Sequence, residues 1–506
     1  MLLRLCLLTL LTSLPFCLIP AQVSPDVIST LSEESLTTSL HRFRYFLSLP
    51  NDAHFPADLE KNISWLEDQF GRLGFSLERL TTAGLDLLLA SQNYSGAEKT
   101  LLIYLQVDGQ PVDPTKWNQD HPFEPVLKKT NGNDQWEIIS WNQIDNNVDP
   151  EWRIFARSTA DSKGPICAFL SALEIMQENG WQPNYNIKII MDSEEELGSP
   201  NLPETVLTYR DKLAADMLII FDGPRHLSNL PTLTFGARGI TTMRITTYGP
   251  KLPQHSGHYG NYAPNPALRL SQLLASMKDY EGRVVIPGFY DGVEIDDKTR
   301  ATLLAVPDDE NQILNNLGIA EPDHVASYYQ ESIQYPSLNI RGMSAAWVGT
   351  KVRTIIPNAA VANLDIRTVK ETDPKRLVKL IKDHIINQEF HLCEGEPTEE
   401  ERQKYPKLAS MSYNISYQAF RTDMDSEVGA WLTSALRRTF NRAPIRIRTS
   451  GGSIPIAPFV QTLGVPAVTV PVVNRDNNQH SPNENLRIGN YLEGIQTYLG
   501  ILTEPM

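Results

Sequence analysis

Residues 186–199 read Asn-Ile-Lys-Ile-Ile-Met-Asp-Ser-Glu-Glu-Glu-Leu-Gly-Ser. Asn186–Met191, largely apolar and interrupted only by Lys188, predicts a buried strand of the kind found in parallel, helix-covered sheets. A run of acids is ordinarily a solvated loop. Here the acids follow the strand and precede Gly198-Ser199, which places at least one carboxylate in the crevice beyond the strand's carboxyl end, where ligands of open α/β sheets collect. Two adjacent glutamates there can divide labour, one holding a metal while the other takes a proton from an activated water.

Working outward, Leu101–Leu105 and Met217–Phe221 read as further buried strands, and Gly164–Asn179 as a helix stopped by Gly180. Leu36, Leu40, Phe43 and Leu47 recur at helical spacing near the start. The strands are followed by Gln106 and Asp108, by Asp192 through Glu196, and by Asp222, so these polar groups are expected to converge. The pattern changes from about Thr234. Strands are expected at Thr241–Tyr248, Ser337–Ile340, Val361–Val369 and Met411–Ala419, and helices at Pro266–Met277 and Lys375–Ile386. That β-α-β-β-α-β order is ferredoxin-like, decorated by the polar span 282–334. A helix at Glu427–Thr439, a strand at Val468–Val473 and a helix at Tyr491–Leu502 return to the first unit. The expected organisation is an α/β catalytic domain with a mostly parallel sheet (residues 23–233 and 421–506), interrupted by an inserted α+β lid and dimerisation domain (234–420).

Composition bounds the rest. The chain has 506 residues, 41% hydrophobic and 21% charged, and a formal net charge of −15. An acidic surface repels nucleic acid and anionic membranes, so nucleic-acid binding is set aside. Arg4, the leucine-rich run 5–14 and Ala21 read as a signal peptide over residues 1–22, giving a secreted or periplasmic protein with no membrane span after cleavage. An uncleaved anchor is the competing reading. It suits this run poorly, which is short and broken by Pro15. Of four cysteines, Cys6 and Cys17 lie in this leader, leaving Cys167 and Cys393. Any metal at the strand ends must therefore be held by oxygen and imidazole.

Five segments carry candidate chemistry. They are Gln106-Val107-Asp108; Asp161-Ser162-Lys163-Gly164 opening into a helix; Glu194-Glu195-Glu196; Asp222 at a strand end; and His480 in a polar loop. Each has a bland alternative. Asp108 and Asp222 suit turns, Asp161 suits a helix cap, and His480 suits an exposed loop. In order, spacing and context, however, they resemble the di-zinc exopeptidase and amidohydrolase family of carnosinases, bacterial glutamate carboxypeptidase and aminoacylase. The resemblance covers nearly the whole mature chain. It implies that Asp161 bridges two zinc ions, that Glu196 and His480 complete one site, and that Asp222 serves the other. It further implies Glu195 as general base, Asp108 as a group tuning the site, and His255 as a lid histidine for the oxyanion, often supplied by the second subunit of a homodimer. Thr354, Arg367, Gly452 and Ser453 resemble the family's clamp on the substrate carboxylate, for which an arginine fork is well suited.

The departure is Gln106, where the family places a metal-binding histidine. A neutral carbonyl oxygen is a weaker zinc ligand than imidazole and suits harder ions. One zinc, a weak or different second metal, and lost catalysis all follow as options. Retained activity is expected, because Glu195, Glu196, Asp161 and His480 persist. The substrate expected is a small peptide, with an N-acyl amino acid as the alternative; a non-catalytic peptide binder is the rival of another class. Gly452-Ser453 lacks a nucleophile elbow, and no His-Glu-x-x-His helix is present.

Overall fold

A computed structural model describes residues 22–132 and 135–506. The expected signal peptide, apart from Gln22, lies outside the described residues.

Eight strands form the central sheet in the order Ser76–Leu80, Leu87–Gln92, Asn186–Asp192, Thr100–Gln106, Met217–Ile220, Ala467–Thr469, Thr232–Thr234 and Ile445–Ile447. The middle four run parallel. The reason is visible in Thr100–Gln106. Leu101, Ile103 and Leu105 face one core, with the helices Pro25–Leu47, Gly164–Glu178 and Ile488–Leu502, while Leu102 and Tyr104 alternate into a second core with Phe459. A strand buried on both faces has no polar side to show, which is why its sequence is continuously apolar. Truncating a wholly buried residue such as Ile103 to Ala would cost roughly 2–5 kcal/mol. The parallel register sets Gln106 opposite Asp192, so the strands' carboxyl ends lie flush and their polar successors share one crevice.

Between Thr232–Thr234 and Ile445–Ile447 the chain builds a second, five-stranded sheet in the order Ser337–Ser344, Ala359–Thr368, Gly239–Tyr248, Leu408–Tyr417 and His391–Cys393. Counted along the chain, the four long antiparallel strands lie 2-3-1-4, the ferredoxin-like order. Helices Pro266–Ala275 and Pro374–Asn387 cover one face, packing Leu270, Leu273, Leu377 and Ile381 against Met243, Ile245, Leu364 and Ile366. The fold is thus the expected helix-covered, mostly parallel sheet with an inserted ferredoxin-like unit.

Some elements lie beyond the sequence expectations. His391–Cys393 adds a short parallel edge strand. The polar span 282–334 contains the helices Asp297–Leu304, Glu310–Leu317 and Tyr329–Ser332, the first two capped by Asp296 and Asp309. A four-stranded sheet joins Asn485–Arg487 to Arg153–Phe155, Val126–Thr130 and Trp136–Ile139, and so carries a late segment beside the middle of the chain. Among the described residues, no helix is long and apolar enough to cross a membrane.

Candidate metal centre

The loop before helix Gly164–Glu178 is shaped by buried charge. Glu484, shut away from solvent, accepts the backbone N–H groups of Ser158 at 3.0 Å, Ala160 at 2.9 Å and Asp161 at 3.0 Å, and pairs with Arg157 at 2.8 Å. Ser158 adopts a left-handed conformation (φ 63°), and the Asp161–Ser162 peptide is cis. Lys163 is wholly buried, its ammonium donating to the carbonyl oxygens of Phe46 and Leu49, and burial holds its pKa well below the usual lysine range. Two glycines are dictated by close approach. A Cβ at Gly109 would stand 2.1 Å from the Ser158 hydroxyl oxygen, and one at Gly164 would stand 2.4 Å from the Thr159 carbonyl oxygen. Asp161 does not cap the helix, whose N-cap position is Lys163 with no side-chain hydrogen bond. Its carboxylate is turned into the crevice instead.

The acidic turn is fixed by two other carboxylates. Asp192 accepts the Tyr104 hydroxyl at 2.9 Å, the Ser199 hydroxyl at 2.6 Å and the Glu194 N–H at 3.0 Å. Asp108 accepts the N–H groups of Glu195 at 3.0 Å and Glu196 at 2.9 Å. Glu194 turns aside to Asn201 at 3.1 Å, while Glu196 points inward and accepts from the Gln110 amide at 2.7 Å.

Ligand atoms of Asp161, Glu196 and His480 lie within 4.8 Å of one another. His480 Nε2 is 2.9 Å from Asp161 Oδ2 and 3.5 Å from Glu196 Oε2. The amides of Gln106 and Gln479 both donate to Asp161, the latter at 3.3 Å. Asp222 accepts the Gly223 N–H at 2.6 Å. The electrostatics reflect crowding of like charge. Burial, then Asp222, Glu196 and Asp161, raise the Glu195 carboxyl well above its ordinary range. Burial and Asp161 push Glu196 up to about 8 and Asp222 up to about 7, and the hydrogen bond to Asp161 pushes His480 up to about 9. A cation among these groups relieves their repulsion. Two carboxylates and one imidazole are a donor set that suits zinc. On the Asp222 side Gln106 offers only an amide.

The clamp residues are partly assembled elsewhere. Arg367 donates to the Ser453 hydroxyl at 2.8 Å across the two units, and Gly452 accepts the Arg238 N–H at 3.1 Å. His255 and Thr354 do not join the metal cluster. They sit side by side on the lid, where the Thr354 carbonyl accepts the Ser256 N–H at 3.1 Å. His255 is exposed, accepts the Gly257 N–H at 3.0 Å and lies against His258.

Five residues at this crevice escaped the sequence reading. Glu484 and Gln479 flank His480 in a loop whose composition reads as solvent-exposed. Gln110 lies four residues beyond Gln106. Arg238 is buried beside Arg367, and burial followed by the charge of Arg367 lowers its pKa to about 10. Tyr417, on a lid strand, sets its hydroxyl over Gly198, where a Cβ would come within 2.9 Å. Burial and the charge of Glu195 raise its phenol. None of the five carries a sequence pattern of its own; Arg238, in Phe235-Gly-Ala-Arg-Gly239, is singled out only by its burial beside Arg367.

A family model of peptidase family M20/M25/M40 matches residues 107–504. The chain is 28% identical over 481 residues to the Cys-Gly metallodipeptidase DUG1 of Candida albicans, covering 89% of this chain and 88% of that protein. It is 26% identical over 424 residues to human Beta-Ala-His dipeptidase, covering 83% and 77%. Among solved structures, a metallo-carboxypeptidase from Sulfolobus solfataricus superposes with a TM-score of 0.75 at 26% identity, covering 92% of this chain and 98% of that one. Human carnosine dipeptidase 1 superposes with a TM-score of 0.73 at 22% identity, covering 95% and 98%.

Proposed function

The chain belongs to peptidase family M20/M25/M40, and from that premise we propose that it hydrolyses the amide bond of dipeptides or of the C-terminal residue of short peptides. It is a metal-dependent hydrolase. The observation that carries the reading is a half-buried Glu195 beside a cluster of Asp161, Glu196 and His480 with the composition of a zinc site. Relatives named for Cys-Gly and Beta-Ala-His dipeptides support peptides as the substrate class.

Asp161, Glu196 and His480 would hold one zinc ion, and Gln106 and Asp222 a weaker site for zinc or a harder divalent ion. When bound, the cation acidifies a water molecule and draws charge from the scissile carbonyl. Glu195 accepts the proton and returns it to the leaving amine. Asp108 keeps Glu195 and Glu196 facing inward through their N–H groups. Arg367, with Ser453 beside it, binds the substrate carboxylate, with Thr354 and Gly452 as the remaining residues of the clamp. His255 lies on the lid away from the cluster, which accords with a homodimer in which the partner subunit's His255 faces the oxyanion. Residues 234–420 then act as lid and dimerisation domain between the catalytic segments 23–233 and 421–506. The leader would direct the protein out of the cytoplasm, to the periplasm or beyond.

The test is a side-by-side assay of unblocked dipeptides and N-acetyl amino acids on purified protein of measured metal content. Dipeptide turnover that chelation abolishes and zinc restores supports the reading. Turnover of N-acetyl amino acids alone would assign a deacylase, and peptide binding without turnover in a metal-free protein would assign a binder.

A further inference from the structure

We propose that His391, Cys393 and Glu401 form a second metal site, distant in sequence from the catalytic residues, that takes a borderline-soft divalent cation such as zinc and fastens the edge of the lid sheet. His391 and Cys393 stand two apart on one strand, so their side chains leave the same face. Glu401 comes from the helix Glu399–Lys404 that follows, and ligand atoms of the three residues lie within 4.8 Å of one another. A tetrahedral zinc ion separates its ligand atoms by about 3.5 Å, so the cluster needs side-chain adjustments of roughly 1 Å to close. A thiolate, an imidazole and a carboxylate are a recognised zinc donor set, with water completing the fourth position.

The surroundings orient each ligand. The Tyr405 ring stacks on His391 with centroids 3.7 Å apart and planes 5° from parallel, fixing the imidazole. Glu401 divides its two oxygens. Oε2 accepts the Thr398 N–H at 2.8 Å and its hydroxyl at 2.9 Å as the helix cap, while Oε1 faces His391 Nε2 at 3.1 Å. The cap therefore holds the carboxylate in place and leaves one oxygen for a cation. Arg402, whose charge is felt at Cys393, donates to the Gly249 carbonyl at 3.0 Å. Cys393 is buried, and Cys167, the other described cysteine, is enclosed in the catalytic core and separate from this cluster. The edge strand is only three residues long, and an ion there would tie it to the helix across the intervening loop, adding restraint that backbone pairing alone supplies weakly.

Cobalt titration of the full chain, purified with its catalytic metal, tests the site, because only a thiolate ligand produces sulfur-to-cobalt charge-transfer absorption. The catalytic cluster contains no sulfur. Wild type is expected to gain the band with saturation at one equivalent, C393S to lose it, C167S to keep it, and E401Q to bind at least tenfold more weakly. Dipeptide hydrolysis by C393S and E401Q serves as the check that each is folded. Absence of the band in wild type, or a band of equal strength in C393S, would overturn the proposal; should C393S fail to fold, unchanged cobalt affinity in E401Q would do the same.

Discussion

Glu484 accepts the backbone N–H of Asp161 at 3.0 Å while its own charge is balanced by Arg157, a pair with side chains only 0% and 4% exposed. Removing one member of a buried ion pair typically costs about 3–5 kcal/mol, because the other charge is left uncompensated. Glu484→Gln keeps the size but not the charge, so the loop that aims Asp161 should loosen. The expected result is a lower melting temperature and a metal affinity reduced by about 10–100-fold, as for other groups that orient a ligand. Calorimetric titration of zinc into the metal-free variant measures it. Wild-type affinity would mean that Asp161 is held by its other contacts.

Glu195 and Glu196 are neighbours with different tasks, and substitution should separate them. Glu195→Gln removes the proton acceptor without removing a ligand. Turnover should fall by about 10²–10⁴-fold with metal content unchanged. Glu196→Gln should lose metal and activity together. Elemental analysis beside a dipeptide assay distinguishes the two, and near-normal turnover in Glu195→Gln would reassign the base.

The two variants also show how far the site was legible in the sequence. Glu195, Glu196 and Asp222 could be placed because each follows an apolar run long enough to read as a buried strand, and Asp161 because Lys163-Gly164 opens a helix. Glu484 was illegible. Its role depends on Asn485–Arg487 pairing with Arg153–Phe155, strands of three residues each, too short for periodicity to register. The same limit hid the His391–Cys393 strand. Arg238 carries no pattern at all until the fold sets it beside Arg367. His255 was placed by family likeness, and within one chain it stays on the lid.

Gln106 donates to Asp161 from the position where an imidazole would bind a second ion. The variant Gln106→His supplies that imidazole beside Asp222. In the C393S background, which removes the lid site, protein dialysed against trace zinc should retain one equivalent, and the same background with Gln106→His two. Elemental analysis provides the count. Two equivalents already retained by C393S with Gln106 in place would show that the glutamine suffices as a ligand.

Metal-free protein should be least stable in alkali. Glu196 and Asp222 titrate at about 8 and about 7 in the folded state, against about 4.3 and 3.9 in an unfolded chain, and His480 at about 9 against about 6.5. All three are raised, so the folded state holds protons that the unfolded state has already shed. Their contribution is complete below the unfolded values and is lost as pH climbs through the folded ones. The melting temperature of the stripped protein should therefore fall between about pH 5 and pH 9. The loaded protein should show a flatter profile, since the cation takes the place of those protons. Thermal scans across this range, with and without zinc, check the sign; a stripped protein that gains stability toward pH 9 would contradict it.

Arg367 and Arg238 are close enough for the charge of one to lower the pKa of the other, an arrangement that an anion between or beside them would stabilise. Arg367 also meets Ser453 from the other unit, so a carboxylate bound there would touch both halves of the cleft. Arg367→Lys retains charge but loses the planar fork that grips a carboxylate through two parallel hydrogen bonds. Losing about 1.4 kcal/mol in that contact corresponds to a tenfold change in binding. KM for an unblocked dipeptide should rise by about that factor with kcat little altered, as expected for an interaction equally strong in ground and transition states. The C-terminal amide of the same dipeptide, which lacks the anion, should be hydrolysed equally poorly by both proteins. If the variant keeps the wild-type preference for the free carboxylate over the amide, the carboxylate is read elsewhere, and the serine contact serves to hold the lid against the catalytic unit.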